Sequence, residues 1–336
     1  MSSFTPTIDE LVAAVDAFLE DFLGGKRSEL PEAESMIDEI ARSVTAGGKR
    51  LRPQFCYWGY RAAGGTHEQR IVAAASALEL LHTFALVHDD IIDRSDERRG
   101  LPTTFALHGT DAAILVGDLA LVLADAALME SGFDAATLQA AFASYSRMRQ
   151  QVIAGQFLDV IATRHEEMTV DRARRIAVLK SGRYSIEEPL VIGAALAQAS
   201  PDLVDSLHRF GAPLGEAFQL RDDLLGMFGD ASTVGKPVDS DIREGKRHVL
   251  YAFTLDALSD DGRATFVKRW GADDLTGEEV DELRRIVEES GAKARTETLL
   301  AELRDEALAR LAELPMEAGP KRALEELARR ATDRAL

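Results

Sequence analysis

Two clusters of acidic side chains each end a long apolar segment of the sequence. Asp89 and Asp93, in "ALVHDDIIDRSDERRGLP" (residues 85–102), are four positions apart, and Asp222 and Asp223 end the segment "FQLRDD". Residues four positions apart lie on one face of a helix, so their like charges repel unless a cation neutralises them. Mg²⁺ is such a cation, and it binds through one or two carboxylates together with substrate phosphates. The acids therefore indicate a site for Mg²⁺ and phosphate, with two solvent-exposed helix ends as the alternative interpretation.

Basic side chains lie close to both acidic clusters in the sequence. In a chain of net charge −18, basic residues that cluster are expected to serve an anion. Each of them alone is explained as an ordinary cation at a helix end. Acids and bases that alternate along the chain fit two diphosphates, one bridged to carboxylates by metal and the other held directly by Arg and Lys. The basic residues concerned are Lys49, Arg50, Arg52, Arg98, Arg99, Lys180, Arg183, Lys236, Lys246 and Arg247.

The elements that must position these residues are helices. Apolar residues recur with the helical period through most of the sequence, and alternating strand patterns are nearly absent. The pattern predicts a large all-α, single-domain helical bundle over residues 1–336, in which residues 1–7 form a flexible tail. The predicted helices that carry or flank the motifs are 8–23, 50–63, 67–94, 102–107, 111–130, 134–161, 169–181, 185–199 and 201–228.

Composition and charge exclude several classes of function. The net charge of −18 argues against a nucleic-acid surface, which needs a basic face. Cys56 is the only cysteine, so the chain has no internal disulfide and too few soft ligands for structural zinc. The apolar stretches 71–87 and 112–129 are interrupted by polar and charged residues, so we expect no membrane span. The N-terminal segment lacks the basic start and apolar run of a signal peptide, which favours a cytoplasmic enzyme or binding protein.

Several motifs, in order along most of the chain, resemble those of one enzyme family. They are "GGKRLRP", "LELLHTFALVHDDIIDRSDERRGLPT", "GDLAL", "GQFLD", "LKSGRYS", "FQLRDD" and "GKPVDSDIREGKR". The sequence resembles the trans-isoprenyl diphosphate synthases of the polyprenyl synthetase family, most of all the geranylgeranyl diphosphate synthases. The resemblance implies a bundle around a deep central cavity, a homodimer, and Mg²⁺-dependent head-to-tail condensation of isopentenyl diphosphate with an allylic diphosphate.

The resemblance also implies roles for individual residues. Asp89 and Asp93, assisted by Asp90, are expected to ligate the Mg²⁺ ions that hold the allylic diphosphate. Asp222, with Asp223, is expected to hold a further ion, which gives three per active site. The expected contacts of the allylic diphosphate are Arg98, Lys180, Ser181, Gln219, Lys236 and Lys246. Those of isopentenyl diphosphate are Lys49, Arg52, His82 and Arg99. Ser181 stands where the family commonly has Thr, a change that keeps the hydroxyl.

Gly226 departs from the family pattern. The second acidic motif of the family is usually DDxxD, whereas residues 222–226 of this chain are "DDLLG". Mg²⁺ often keeps several waters, so a water is expected to fill the missing coordination position. The resemblance then implies activity with weaker metal binding at this cluster, and loss of activity is the alternative.

The residues just before the first aspartates predict the length of the product. In the family this segment is the floor under the growing tail, and farnesyl synthases commonly have large aromatics at the fourth and fifth positions before the motif. Here the fifth position is Phe84, the fourth is the small Ala85, and Leu81 lies one turn earlier. A helical turn rises about 5.4 Å and an extended isoprene unit is roughly 5 Å long, so each open turn admits about one more unit. The pattern resembles 20-carbon synthases, while a 15-carbon product, a longer one, or a floor formed elsewhere stay open.

Two other classes of protein compete with this interpretation. A class I terpene cyclase shares the first acidic motif, but its second motif usually carries Asn or Asp, then Ser or Thr, then Glu. The basic residues Lys49, Arg52 and Arg99 also imply a second diphosphate, which a cyclase does not need. A catalytically weak partner subunit is favoured only by the missing acid at Gly226.

Overall fold

The computed structural model describes residues 6–163, 167–229 and 239–333, and nearly all of the regular structure in these ranges is helical. Lys236 lies outside the described residues. We number the elements in chain order. The α-helices are α1 Ile8–Glu29, α2 Glu34–Thr45, α3 Leu51–Ala62, α4 Glu68–Ile92, α5 Thr104–Met129, α6 Ala135–Ala162, α7 Val170–Ala177, α8 Glu188–Leu196, α9 Pro201–Phe228, α10 Ser240–Arg243, α11 Val249–Ala257, α12 Asp260–Arg269, α13 Gly277–Glu289, α14 Ala292–Glu313 and α15 Ala318–Thr332. The remaining elements are a 3₁₀ turn Pro31–Ala33, a π-helical segment Val178–Glu187, and the short strands β1 Glu97–Arg98 and β2 Leu101–Pro102.

The chain divides into two compact units. Unit 1 comprises Met1–Tyr145, Pro189–Asp205 and Pro315–Leu324, and unit 2 comprises Ser146–Glu188, Ser206–Leu314 and Glu325–Leu336. The first acidic cluster belongs to unit 1 and the second to unit 2. That the whole chain acts as one domain stays a prediction.

Unit 1 is built around α4, which packs along much of its length against α5. Its apolar residues face almost every side, so α4 is a core helix rather than a surface helix with one apolar stripe. Glycines bring two further helices of this unit into close contact. A Cβ atom on Gly59 or Gly193 would overlap the backbone of Leu190 or Cys56, respectively. The close approach of α3 and α8 therefore depends on glycine at both positions.

Unit 2 has its own core, which holds the C-terminal half of α9 in place. Leu220 and Leu224 of α9 are fully buried in the same apolar cluster as three packed aromatic rings. The rings of Tyr251, Phe266 and Trp270 lie 5.1 to 5.5 Å apart between centroids. Aromatic pairs at such distances stabilise a core beyond the area that they bury. The helix that carries the second acidic cluster is thus anchored on its opposite face.

The structure confirms the all-α class and corrects several boundaries. Helix α1 continues through Gly24 and Gly25 to Glu29 instead of ending at residue 23, because both glycines keep helical backbone angles. Its N-terminus is ordered earlier than predicted, since Pro6 is buried and Thr7 caps the helix in a capping box. The predicted tail over residues 1–5 lies outside the described residues. Between 181 and 185 the predicted break is instead the π-helical segment, which joins α7 and α8 without interruption.

Candidate active site

The first acidic cluster lies at the C-terminal end of α4. Asp89 and Asp93 are one turn apart, and the backbone N–H of Asp93, the C-cap residue, donates to the carbonyl of Asp89 at 2.8 Å. Both side chains are partly exposed. Asp90, by contrast, is buried, with only 5% of its surface exposed. The helical spacing therefore places Asp89 and Asp93 on one solvent-reaching face, as predicted.

The β1–β2 hairpin returns Arg98 to the end of α4. Arg99 and Gly100 form its two-residue turn with φ angles of 54° and 74°, which is the left-handed backbone of a type I′ turn. The Arg98 guanidinium donates to Oδ1 of Asp90 from Nε at 2.9 Å and from Nη2 at 2.6 Å, and Nη2 lies 3.6 Å from Oδ2 of Asp89. Asp90 is thus bound to an arginine, a pairing that the sequence did not reveal. That Arg98 also contacts a substrate diphosphate stays a prediction.

Positive charge collects around His82 in unit 1. Removal from water lowers the pKa of this partly buried imidazole well below its usual value, and the nearby positive charges lower it further. These charges belong to Arg52, Arg99, Arg98 and Arg50. The Arg99 guanidinium donates from Nη1 to the carbonyl of Gly47, so the "ERRG" turn is tied to the loop before α3. The structure therefore brings together three of the residues that were predicted to bind isopentenyl diphosphate. A neutral histidine beside arginines is a hydrogen-bonding partner for an anion rather than a further charge.

Arg50 has a structural role that the sequence did not separate from its basic neighbours. It is the N-cap residue of α3 with a left-handed φ of 47°, and its side chain is buried. The guanidinium reaches Glu79 of α4 at 2.9 Å, Asp16 of α1 at 2.7 Å and the Val44 carbonyl of α2 at 2.7 Å. These contacts join α1, α2, α3 and α4 next to the other arginines that surround His82. Lys49, next to it, is exposed.

The residues predicted to set product length differ in exposure. Leu81 is fully buried in unit 1, Phe84 is 9% exposed, and Ala85 is partly exposed. The Phe84 ring packs edge-on against His88, with centroids 4.8 Å apart. His88 in turn fills the space beside Gly117, where a Cβ atom would overlap the imidazole. Ala85 is therefore accessible, Phe84 is nearly buried beside it, Leu81 is fully buried, and His88 packs against the Phe84 ring.

In unit 2, Lys180 lies on the π-helical segment. Its Nζ donates to Oδ2 of Asp159, the last residue of "GQFLD", at 2.6 Å. Ser181, which follows it, is partly exposed. A Cβ atom on Gly155 would overlap the backbone at Lys180, so α6 and the segment touch directly. Single π-helical turns occur often at functional sites, and here the wider turn carries the predicted phosphate-binding lysine.

The second acidic cluster lies near the end of α9. Asp223 is 6% exposed, whereas Asp222 is partly exposed. Burial raises the pKa of the Asp223 carboxyl to about 8, and the charges of Asp241, Asp222 and Asp159 add to this rise. A hydrogen bond from Gln219 acts in the opposite direction. The Gln219 amide donates to Asp223 at 2.7 Å, so this residue orients the carboxylate. A direct contact between Gln219 and a substrate stays a prediction.

Lys246 lies in unit 2 beside two acids, Glu244 and Asp241. Its Nζ is 2.6 Å from Glu244 and 3.6 Å from Asp241. Among the predicted ligands of the allylic diphosphate, this residue and Lys180 thus both lie within ion-pair distance of a carboxylate. Each ion pair leaves the ammonium partly exposed, with 20% and 26% of the side chain accessible.

The residues present fit Mg²⁺. Every donor in both acidic clusters is an oxygen, as a hard cation requires. Oδ2 of Asp223 is buried and accepts no hydrogen bond from any described residue, so a cation would satisfy it. Over the described ranges, no three His, Cys, Asp or Glu side chains converge as a complete metal site. That arrangement suits an ion that completes its coordination with substrate phosphates and water.

Comparisons with known proteins agree on one family. The chain matches the polyprenyl synthetase family over residues 34–289. It is 36% identical to the geranylgeranyl diphosphate synthase of Sulfolobus acidocaldarius over 287 residues, which cover 83% of each chain. It is 34% identical to the geranylfarnesyl diphosphate synthase of Aeropyrum pernix, over 83% of this chain and 85% of that one.

A solved structure gives the same assignment. The geranylgeranyl pyrophosphate synthase from Corynebacterium glutamicum, complexed with isoprenyl diphosphate and magnesium, superposes with a TM-score of 0.93 at 34% identity. The superposition covers 98% of this chain and 100% of that one. The fold is therefore that of the all-α isoprenoid synthases. This chain belongs to the polyprenyl synthetase family.

Proposed function

We propose that this chain is a Mg²⁺-dependent trans-prenyltransferase that condenses isopentenyl diphosphate head-to-tail with allylic diphosphates to make geranylgeranyl diphosphate. The observation that carries the proposal is the end of α4. Asp89 and Asp93 lie one turn apart there with partly exposed side chains, while Arg98 and Arg99 return to this helix end on the hairpin. Relatives named as geranylgeranyl diphosphate synthases cover most of the chain.

The reaction breaks the C–O bond between the allylic carbon and its diphosphate, joins that carbon to the alkene of isopentenyl diphosphate, and transfers the surplus proton to the released diphosphate. When bound, Mg²⁺ neutralises the negative charge that develops on the leaving diphosphate. The carboxylates of Asp89 and Asp93 would hold Mg²⁺ ions at the first cluster, and that of Asp222, supported by Asp223, would hold a further ion at the second. Lys180, Lys246 and Lys236 bind phosphate oxygens directly. Such positioned charges stabilise the transition state, where the charge is largest.

The basic cluster of unit 1, which we define as Lys49, Arg52, His82 and Arg99, binds the second substrate, isopentenyl diphosphate. Arg52, Arg99 and the exposed Lys49 hold the diphosphate of isopentenyl diphosphate, and His82 donates a hydrogen bond to it. This diphosphate stays on the product, so the cluster needs strong binding but no metal. A cyclase, which acts on one diphosphate only, has no use for these residues.

The product proposed is 20 carbons long, because Phe84 presents one aromatic ring and Ala85 leaves the neighbouring position open. The relative from Aeropyrum pernix is named for a geranylfarnesyl product, so a longer chain is the second candidate. A 15-carbon product is less favoured, because farnesyl synthases commonly have a second large side chain near the motif, whereas Ala85 is small.

The remaining parts of the proposal are three Mg²⁺ per active site, a homodimer and a cytoplasmic location. Helices α4 and α5 are both long and apolar enough to cross a membrane. In their most apolar windows, 72% of α4 but only 44% of α5 is buried within the protein. The exposed face of α5 includes Leu115, Val122 and Met129, which recur every seven residues and thus form one stripe. A second copy of the chain is the proposed cover for this stripe.

The proposal is tested by charge removal at the first cluster. Asp89→Asn should lower the rate of isopentenyl diphosphate incorporation about 100-fold or more, because one Mg²⁺ ligand is lost from the transition state. Asp21→Asn removes the same charge from an exposed position of α1 and serves as the matched control. If both variants incorporate label at the wild-type rate, the proposed site is wrong.

A further inference from the structure

Gly226 faces a carboxylate from another part of unit 2. It lies three positions after Asp223 and four after Asp222 on α9, so the three positions share one helix face. A Cβ atom on Gly226 would overlap Oδ2 of Asp241 and lie 3.2 Å from its Cγ. The Asp241 carboxylate therefore occupies the volume into which a side chain at position 226 would project.

The protein holds Asp241 firmly in this place. The residue lies on α10, a short helix whose Ile242 is fully buried in the core of unit 2. Its backbone carbonyl accepts a hydrogen bond from the N–H of Lys246 at 2.9 Å, and its side chain is only 15% exposed. Arg243 donates to the Leu275 carbonyl at 2.8 Å, which fixes the other end of the helix.

A second observation indicates that this carboxylate faces a ligand. Asp223 is buried, and its Oδ1 accepts the amide of Gln219 at 2.7 Å. Its Oδ2 is buried too and accepts no hydrogen bond from the part of the chain that the structure describes. An unsatisfied buried carboxylate oxygen is costly, and the neighbouring acids Asp222 and Asp241 increase that cost. A bound cation removes both penalties.

We propose that Asp241 supplies the carboxylate that position 226 lacks and contributes it to the Mg²⁺ site of Asp222 and Asp223 once a diphosphate is bound, since the carboxylates of the described residues alone do not form a complete metal site. The inference deepens the proposed function and rests on it. The third acid of this cluster thus comes from α10 rather than from α9, and water is not left to fill its place. Gly226 is then required, because any larger residue would displace the Asp241 carboxylate.

The first test is metal binding by the full chain. Binding of Mn²⁺, a paramagnetic substitute for Mg²⁺, is measured in the presence of inorganic diphosphate from the electron paramagnetic resonance signal of the unbound ion. Asp241→Asn should weaken Mn²⁺ binding at one site about 10-fold or more. Asp239→Asn is the matched control, since this carboxylate lies at the start of the same helix but is paired with Arg243 at 2.5 Å. Equal affinities for wild type and Asp241→Asn would overturn the inference.

The second test moves the carboxylate back to α9. Gly226→Asp alone places two acids in one volume and should bind Mn²⁺ more weakly than wild type. Gly226→Asp combined with Asp241→Gly should recover most of the affinity that Asp241→Asn loses. Absence of recovery in a double variant with the wild-type melting temperature would show that position 226 and Asp241 are not equivalent, and would overturn the inference.

Binding and activity separate this inference from the proposed function. If wild type binds Mn²⁺ with diphosphate but elongates no allylic primer, the proposed function is wrong and the metal site stands. If wild type elongates primers while Asp241→Asn keeps full Mn²⁺ affinity, only the role of Asp241 is wrong.

Discussion

We predict that the single aromatic ring of Phe84, next to the small Ala85, sets the length of the product. Phe84→Ala should lengthen the main product by about one isoprene unit, because the removed ring opens roughly one helical turn of wall. Ala85→Phe should shorten it for the converse reason. Both changes are measured by chromatography of the dephosphorylated products. Unchanged product distributions in both variants would place the floor on another face of the protein.

His82 makes a prediction about stability and pH. Its folded-state pKa lies well below the ordinary value of 6.5, whereas the unfolded chain protonates it near that value. Below about pH 6.5 the unfolded state therefore binds more protons, and the free energy of unfolding falls as the pH decreases, by up to about 1.4 kcal/mol per pH unit. Above that pH the contribution is constant.

His82→Gln removes this titration, so its free energy of unfolding should decline less steeply than that of wild type below pH 6.5. Urea unfolding at several pH values between 5 and 8 measures the difference. Parallel curves for the two proteins would contradict the assigned environment of His82.

For single residues, the sequence predicted which helix face a side chain lies on better than it predicted which other side chain it contacts. The four-residue spacing of Asp89 and Asp93 predicted that both lie on one helix face, and in the structure they are one turn apart at the end of α4. The bond between Arg98 and Asp90 could not be predicted, because it depends on how the hairpin folds back. Asp241 was missed for the same reason: only tertiary structure places it against Gly226.

Among the elements, the π-helical segment Val178–Glu187 depends on glycine contacts within unit 2. A Cβ atom on Gly215 of α9 would lie 2.7 Å from the carbonyl carbon and 3.0 Å from the Cα of Gly182. Gly215→Ala should therefore lower the free energy of unfolding by about 1–3 kcal/mol through overpacking. It should also reduce activity, since the displaced segment carries Lys180.

Gly25→Ala provides the matched control for this change. Gly25 lies inside α1 with no atom within 4 Å of an added Cβ, so alanine should stabilise the helix by about 0.5–1 kcal/mol. Urea denaturation compares the two variants with wild type. If Gly215→Ala unfolds at the same urea concentration as wild type, α9 and the segment are not in the contact described.

The sequence predicted a helix boundary correctly where a glycine adopts a non-helical backbone conformation. Gly109, with a φ of 78°, interrupts α5 between the predicted helices 102–107 and 111–130. Gly24 and Gly25 did not end α1, because glycine permits a helix end without forcing one. The π-helical segment was not predicted, because its close contacts at Gly182 and Gly155 are tertiary contacts that local sequence does not reveal.

The exposed stripe on α5 makes a prediction at the scale of the whole molecule. Val122, with 61% of its surface exposed, lies at the middle of the stripe. If a second copy covers it, wild type should sediment as a dimer and Val122→Asp as a monomer in analytical ultracentrifugation. Leu30→Asp, which changes an exposed leucine outside the stripe, should leave the dimer intact. A monomeric wild type would contradict this part of the proposal.

The most direct measurement of the central claim is the product of the whole enzyme. The purified protein is incubated with Mg²⁺, radiolabelled isopentenyl diphosphate and each allylic primer in turn, with and without EDTA. We expect a labelled prenyl diphosphate that yields a 20-carbon all-trans alcohol after dephosphorylation, and no product when EDTA is present. A hydrocarbon formed from the allylic diphosphate alone, or no incorporation of label with any primer, would contradict it.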